Sequence, residues 1–172
     1  GQGIPLIAED KSSIFNKVSI NKYHAFSDDV LGAVKFYAAG LWALDDEARI
    51  SKRLHIPSNR LRGFEKRKIG PIDQGDYVGG NYATALNFEA ALPNLLPEAT
   101  QTDIAAFLDF ANLWHADYDA TVGQSSKIRS SIGVATNMYT PIGPLNFVFA
   151  KELSSAESDH TQTFKFEIGT SF

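Results

Sequence analysis

The chain alternates apolar residues with small or polar ones along most of its length, and this period of two constrains its fold more than any other feature. The alternation is clearest near the end, in FKFEIGTSF, where Phe164, Phe166 and Ile168 alternate with Lys165 and Glu167. Successive side chains of a β-strand point to opposite faces, so each such segment predicts a strand with one apolar and one polar face. Helical periodicity is nearly absent, and we therefore expect an all-β protein.

Eight segments carry the pattern and are predicted to be strands. They lie near residues 3–9, 14–26, 30–44, 81–92, 103–115, 127–139, 143–153 and 162–172. Several exceed the roughly 5 to 6 residues typical of soluble strands and match the roughly 9 to 11 residues that cross a bilayer at a tilt. Short connections alternate with longer polar ones, the longest being residues 45–80. This layout is typical of an outer-membrane barrel.

Period-two strands also build soluble sandwiches and lipocalin-type barrels, which turn the apolar face inward. Two observations favour a membrane barrel instead. The polar parity holds Gly, Ala, Asn, Ser, Lys and Glu, which suit a filled or wet lumen better than an outer surface. The apolar parity carries aromatic residues near strand ends, where an interfacial girdle would need them: Trp42, Tyr82, Trp114 and Phe172. We predict an antiparallel up-and-down transmembrane β-barrel of about eight strands, with a soluble β-barrel binding protein as the less favoured alternative.

Length and composition suit a single barrel domain spanning residues 1–172. There is no Cys and no run of about 18 apolar residues, so neither a disulfide scaffold nor a transmembrane helix is expected. The first residues lack the pattern of a signal peptide. We therefore expect that a leader has been removed or that the chain is an excised fragment.

The predicted long loop contains NRLRGFEKRKIGP, a strongly basic stretch in a chain of net charge −4. Residues 49–68 hold eight of the sixteen Lys and Arg residues and one acid, Glu65. Basic clusters often bind nucleic acid, but here the aromatic residues lie in the strands and the overall charge is acidic. We expect no nucleic-acid partner. A basic loop on the outside would more readily meet the phosphates of outer-leaflet glycolipid.

Catalytic and cofactor motifs are absent from the sequence. There is no phosphate-binding glycine loop, and the four His residues lack metal-ligand spacing. Polar residues that could lie at the barrel rim would more often be solvated or bind divalent ions than catalyse a reaction: His115, Asp117, Asp119, Asp159 and His160. We expect no cofactor, no metal and no enzymatic activity.

Several motifs occur in a recognisable order. They are Leu61-Arg62-Gly63-Phe64, Gly79-Gly80-Asn81, the strand FLDFANLW at 107–114, the turn PIGPL at 141–145 and the terminal strand at 164–172. Together they resemble the C-terminal half of the BamA-type outer-membrane assembly barrels, over residues 14 to 172.

The resemblance implies that the long loop folds back into the barrel, where Arg62 meets Glu89, Phe107 and Asp109 on the inner wall. Phe107 and Asp109 are two residues apart and so share a face, and a guanidinium in a partly dehydrated lumen needs a carboxylate. Gly63 would permit a tight backbone and Phe64 would wedge against the wall. The alternative is a solvated loop in which Arg62 has no particular partner.

The last strand would act as a C-terminal signal, carried by an apolar row: Phe164, Phe166, Ile168 and Phe172. Barrels of the family usually have sixteen strands. The chain would then be half of a larger barrel, one of two copies that pair their edges, or a small closed barrel with the loop largely outside. We favour the small closed barrel, because open edges are costly in lipid.

The implied function is insertion of other barrel proteins into the bacterial outer membrane, by opening a weak seam between the first strand and the Phe172 strand. The partners would be outer-membrane lipid and glycolipid, client barrel proteins, other subunits of an assembly machine, and a second copy of the chain. The alternative is a passive structural or small pore-forming barrel.

Overall fold

The computed structural model describes residues 13–43, 52–116, 126–141 and 143–169. Within these residues, seven strands form one antiparallel sheet in order along the chain. Their bounds are β1 Ser13–Ser27, β2 Val30–Ala43, β5 Tyr82–Ala91, β6 Thr102–Trp114, β7 Arg129–Thr140, β8 Gly143–Ser154 and β9 Phe164–Ile168. A hairpin of β3 Ile72–Asp73 and β4 Asp76–Tyr77 lies between β2 and β5. The prediction of an all-β, up-and-down antiparallel fold is confirmed.

The two faces of the sheet follow the two parities of the sequence. On β2, Phe36 and Trp42 are exposed, whereas Ala33, Tyr37 and Leu41 are buried. Large apolar side chains of this parity are exposed on the other strands too, so the outer face is mostly apolar. A soluble barrel would place that parity inside. The soluble alternative therefore does not fit, because the opposite face is the one that packs against other parts of the chain.

The strands β1 and β9 are the two edges of the sheet, and within the described residues they do not pair with each other. The predicted strand at 3–9 and the terminal Phe172 lie outside the described residues. Closure into a small eight-stranded barrel therefore stays a prediction. Of the last strand, predicted at 162–172, the described residues show β9 at Phe164–Ile168, and residues 170–172 lie outside them.

The described part of the long loop, residues 52–80, lies against the inner face of the sheet. Its apolar side chains are buried with inner-face residues of β2, β5 and β6: Leu54, Ile56, Leu61, Phe64 and Ile69. The facing strand residues are mostly small, among them Ala39, Ala83, Ala85 and Ala111. The expectation that the loop lies largely outside is thus wrong. Small side chains on the inner face leave the space that the loop fills. Within the described residues, the sheet is not closed around the loop.

Aromatic residues cluster on the outer face at the end of the sheet from which the long loop leaves. Tyr82 lies 5.9 Å from Trp42 and 5.8 Å from Trp114, measured between ring centroids. Amphipathic rings at one level of neighbouring strands are the usual marker of a membrane–water interface. The described residues contain no helix long and apolar enough to span a bilayer.

Candidate functional site

Arg62 lies at the tip of the loop and forms a double hydrogen bond with Asp109 of β6. Its Nε donates to Asp109 Oδ2 at 2.8 Å and its Nη2 donates to Oδ1 at 2.7 Å. The backbone N–H of Arg62 donates to the same carboxylate at 3.0 Å. The Asp109 side chain has no exposed surface. This contact is buried and bidentate. It requires the planar guanidinium of Arg, because the ammonium of Lys cannot form two parallel bonds of this geometry.

Glu89 of β5 supplies a second carboxylate, 2.9 Å from Arg62 Nη1, and Lys35 of β2 pairs with its other oxygen. Lys35, Glu89, Arg62 and Asp109 thus form a row of charges that alternate in sign. The loop residue Arg62 lies among side chains of three adjacent strands. Burial lowers the pKa of Arg62, but hydrogen bonding and charge from Asp109 and Glu89 outweigh this effect and raise the pKa above its usual value. Arg62 is therefore charged at every physiological pH.

Hydrogen bonds from neutral side chains help to hold the backbone of the loop tip in place. The amide of Asn87, which is fully buried, donates to Asp109 Oδ1 at 2.8 Å and to the carbonyl of Arg60 at 2.8 Å. From β7, the hydroxyl of Ser131 donates to the carbonyl of Arg62. The loop tip is therefore attached to three strands through both its side chain and its backbone.

Phe107 forms the floor of the site. The Arg62 guanidinium carbon lies 3.7 Å from the centre of its ring, the geometry of a cation–π contact. Beneath the ring is Gly133 of β7, where an added Cβ would meet the Phe107 ring at 2.6 Å. The absence of a side chain at Gly133 therefore leaves room for the Phe107 ring and for the backbone of β8.

Gly63 and Phe64 continue the loop along β7 and β8. Gly63 has φ +87°, and an added Cβ would lie 2.9 Å from Cβ of Ala150. Phe64 is buried and its backbone bridges Thr161 in the connection before β9. Leu61, 3% exposed, packs in the inner-face cluster. The structure thus brings the whole Leu61–Phe64 motif together with Glu89, Phe107 and Asp109.

The residues of the proposed C-terminal signal lie elsewhere. Phe164, Phe166 and Ile168 are exposed on the outer face, where Phe164 and Phe166 stack on Phe149 and Phe147 of β8. They make no contact with the Arg62 site, and Phe172 lies outside the described residues.

A second buried arginine was missed by the sequence reading. Arg129, at the start of β7, donates from Nε to Asp159 Oδ2 at 2.8 Å and from Nη2 to Oδ1 at 3.1 Å. Neither side chain has exposed surface. The interpretation of Asp159 as a solvated or ion-binding rim residue is therefore wrong, since its carboxylate is neutralised by Arg129. The sequence signal for a buried arginine was a single Arg next to small residues, Ser130, Ser131 and Gly133.

The other rim candidates are either exposed or outside the described residues. Asp117 and Asp119 lie outside the described residues, and His115 and His160 are exposed. Within the part of the chain that the structure describes, no group of three or more His, Asp or Glu side chains has the spacing of a metal site.

A cleft of about 770 Å³ lies on the inner face beside the loop tip. Its walls come from strands at both ends of the sheet, so the sheet must curl around it. Many of the lining residues are polar or charged, among them Asn21, Lys35, Arg60, Glu89, Asn137 and Lys165. Polar side chains on this face agree with the polar parity of the sequence.

Comparison with protein families gives a match to the Omp85 superfamily domain over residues 2–172. Among curated proteins, the outer membrane protein assembly factor BamA of Neorickettsia risticii (strain Illinois) is 32% identical over 117 residues, covering 66% of this chain and 16% of the relative. The protein of that name from Neisseria meningitidis serogroup B is 27% identical over 141 residues, covering 65% of this chain and 17% of the relative.

Among solved structures, the crystal structure of BamA from Haemophilus ducreyi lacking POTRA domains 1-3 superposes with a TM-score of 0.80. The identity is 23%, and the match covers 91% of this chain and 35% of the crystallised chain. At this identity the likeness concerns the fold alone. The chain thus spans about a sixth of the length of these curated relatives.

Proposed function

This chain belongs to the Omp85 superfamily, and from that premise we propose that it forms part of a barrel that helps other barrel proteins to insert into the bacterial outer membrane. The observation that carries the proposal is the loop tip: Arg62 is fixed by Asp109 and Glu89 to the inner wall, behind an outer face that is apolar. The loop is thereby part of the fold, and the outer face is free to contact lipid.

The proposed mechanism needs no covalent chemistry. An exposed strand edge offers unpaired N–H and C=O groups that can pair with an incoming strand, and in lipid such groups have no water to satisfy them. Within the described residues, the edge strand β9 has five residues, against twelve in β8. A short edge strand forms few ladder hydrogen bonds, so a seam beside it would open at low cost. Client barrels, lipid and other assembly subunits are the partners of this proposal.

Folding of a client barrel into liposomes tests the proposal. Liposomes containing the full-length protein are expected to fold an added outer-membrane protein faster than empty liposomes, while a variant with Asp109→Asn, which removes the buried one of the two carboxylates that pair with Arg62, loses most of that gain. The matched control is Asp103→Asn, an exposed acid on the same strand, expected to behave as wild type. Equal folding rates with and without the protein would contradict the proposal.

A passive pore is the second candidate, and the polar cleft of about 770 Å³ is the observation that favours it. A pore would conduct ions without accelerating client folding. Ion leakage from the same liposomes, measured with a trapped fluorescent dye, separates the two: leakage without faster client folding supports the pore.

A further inference from the structure

We propose that the β8–β9 connection, residues 155–163, is a strap that couples the seated loop to the edge strand β9. The strap is anchored to the wall by Arg129, it holds the backbone of the loop, and it leads directly into β9. Release of the loop and displacement of β9 would then be a single event. The consequence for client insertion rests on the proposed function, but the coupling itself does not.

The wall anchor is the Arg129–Asp159 pair. Besides its two bonds to Asp159, Arg129 donates from Nη1 to Asn112 Oδ1 at 3.1 Å and to the carbonyl of Lys127 at 3.0 Å. Asp159 Oδ2 also accepts from the backbone N–H of Ala156 at 2.7 Å. Because both charges are fully buried, removing either one leaves the other unpaired in a medium of low polarity. The strap is therefore held firmly at its centre.

The strap holds the loop through backbone hydrogen bonds that do not depend on side-chain identity. Glu65 N–H donates to the carbonyl of His160 at 2.9 Å, and Gln162 N–H donates to the carbonyl of Gly63 at 2.9 Å. His160 N–H donates in turn to the carbonyl of Lys68 at 3.0 Å. The residues after Arg62 thus run antiparallel to the strap like an added strand.

A third contact ties the loop hairpin to the strap. The hydroxyl of Tyr77 on β4 donates to the carbonyl of Ser158, and the ring of Tyr77 packs edge-on against His160 at 5.8 Å between centroids. At its far end the strap joins the sheet, because Ala150 N–H of β8 donates to the carbonyl of Thr163 at 2.8 Å, one residue before β9 begins. The loop cannot leave the wall without breaking contacts to the segment that positions β9.

Hydrogen exchange of the full-length protein in lipid, read by mass spectrometry, tests the coupling. Asp159→Asn keeps the shape of the side chain and removes its charge. It is expected to speed exchange at least about tenfold in peptides covering both 60–68 and 162–169, while a peptide covering 82–91 of β5 stays at the wild-type rate. The matched control is Glu157→Gln, an exposed acid of the same strap, which should change none of the three.

Tyr77→Phe provides a milder variant, since it removes only the hydroxyl that contacts Ser158. It should raise the hydrogen-exchange rate in the same two peptides by a smaller factor. If Asp159→Asn disrupts the whole barrel, Tyr77→Phe is the variant that tests the coupling. Faster exchange in the loop peptide alone would overturn the proposal, and so would unchanged rates in both peptides. Neither result depends on client folding, so the proposed function can fail separately.

Discussion

Gly63 lies close to the wall, and its backbone and its neighbours both demand a glycine. Its φ of +87° lies in the left-handed region, and an added Cβ would crowd Ala150. Gly75 has a similar φ, +92°, but nothing lies within 4 Å of its added Cβ. Comparing alanine substitutions at the two glycines therefore separates the effect of backbone strain from that of a steric clash.

Both Gly63→Ala and Gly75→Ala are expected to lose about 1 kcal/mol or more of unfolding free energy through backbone strain. Gly63→Ala should lose roughly 1–3 kcal/mol beyond Gly75→Ala, because the overpacked loop must shift from β8. Urea unfolding of the protein in lipid bilayers measures both values. Equal losses would show that the loop tip is not packed against the wall.

His55, in the same loop, gives the protein a predicted dependence on pH. Burial, with a smaller effect of the nearby Arg67 charge, lowers the pKa of His55 from 6.5 to about 4. Between these two values the unfolded chain binds a proton that the folded protein does not, so stability falls as the pH drops from 6.5 toward 4. Unfolding free energy should therefore be lower at about pH 5 than at about pH 7.

In a His55→Asn variant, unfolded by urea at the same two pH values, part of this pH dependence should disappear. The same difference between the two pH values in wild type and variant would mean that His55 is as accessible to protons in the folded protein as in the unfolded chain.

Among the elements, the strands could be predicted closely and the loop could not. Segments predicted at 30–44, 81–92 and 143–153 correspond to β2 Val30–Ala43, β5 Tyr82–Ala91 and β8 Gly143–Ser154. Alternation is a local property, so it is visible in a single segment. The position of the loop depends on contacts between residues far apart in the chain, such as Arg62 with Asp109, for which a period carries no information.

The same reason explains what the site analysis missed. The residues around Arg62 were identified only through the resemblance to a family, whereas nothing of that kind drew attention to Arg129. Its partner Asp159 lies thirty residues further along, in a polar connection. In such a connection, the sequence does not distinguish a buried acidic residue from a solvated one. The short hairpin β3–β4 was likewise hidden, because two-residue strands carry no alternation.

The outer face of β8 gives a prediction about the membrane. Phe149, at the middle of the strand, is 55% exposed, and Phe149→Arg should cost about 2–4 kcal/mol if this face meets the bilayer interior. Asn146→Arg, on the inner face and lining the cleft, is the matched control and should have a much smaller effect. Both variants can be compared by their yield of folded protein in phospholipid vesicles. A more soluble, fully folded Phe149→Arg protein would contradict a lipid-facing β8.

At the scale of the whole molecule, one curled sheet separates two environments. Its outer face is apolar and suited to lipid, and its inner face carries buried ion pairs, a polar cleft and the loop. Two arginine–aspartate pairs attach the chain's connections to this inner face, one at Asp109 and one at Arg129. Within the described residues, β1 and β9 are the two edges of the sheet, where further strands could pair. This division is what a barrel that receives other strands would require.

A double-mutant cycle on Arg62 and Asp109 tests most directly whether the loop is anchored to the inner wall. Unfolding free energies would be measured in lipid bilayers for Arg62→Ala, Asp109→Ala and the double variant. Lys165 and Glu167, a partly exposed pair on β9 at 2.6 Å, form the control cycle and should couple by less than about 1 kcal/mol. For Arg62 and Asp109 we predict a coupling of at least about 1.5 kcal/mol. Additivity within about 0.5 kcal/mol would contradict the anchored loop.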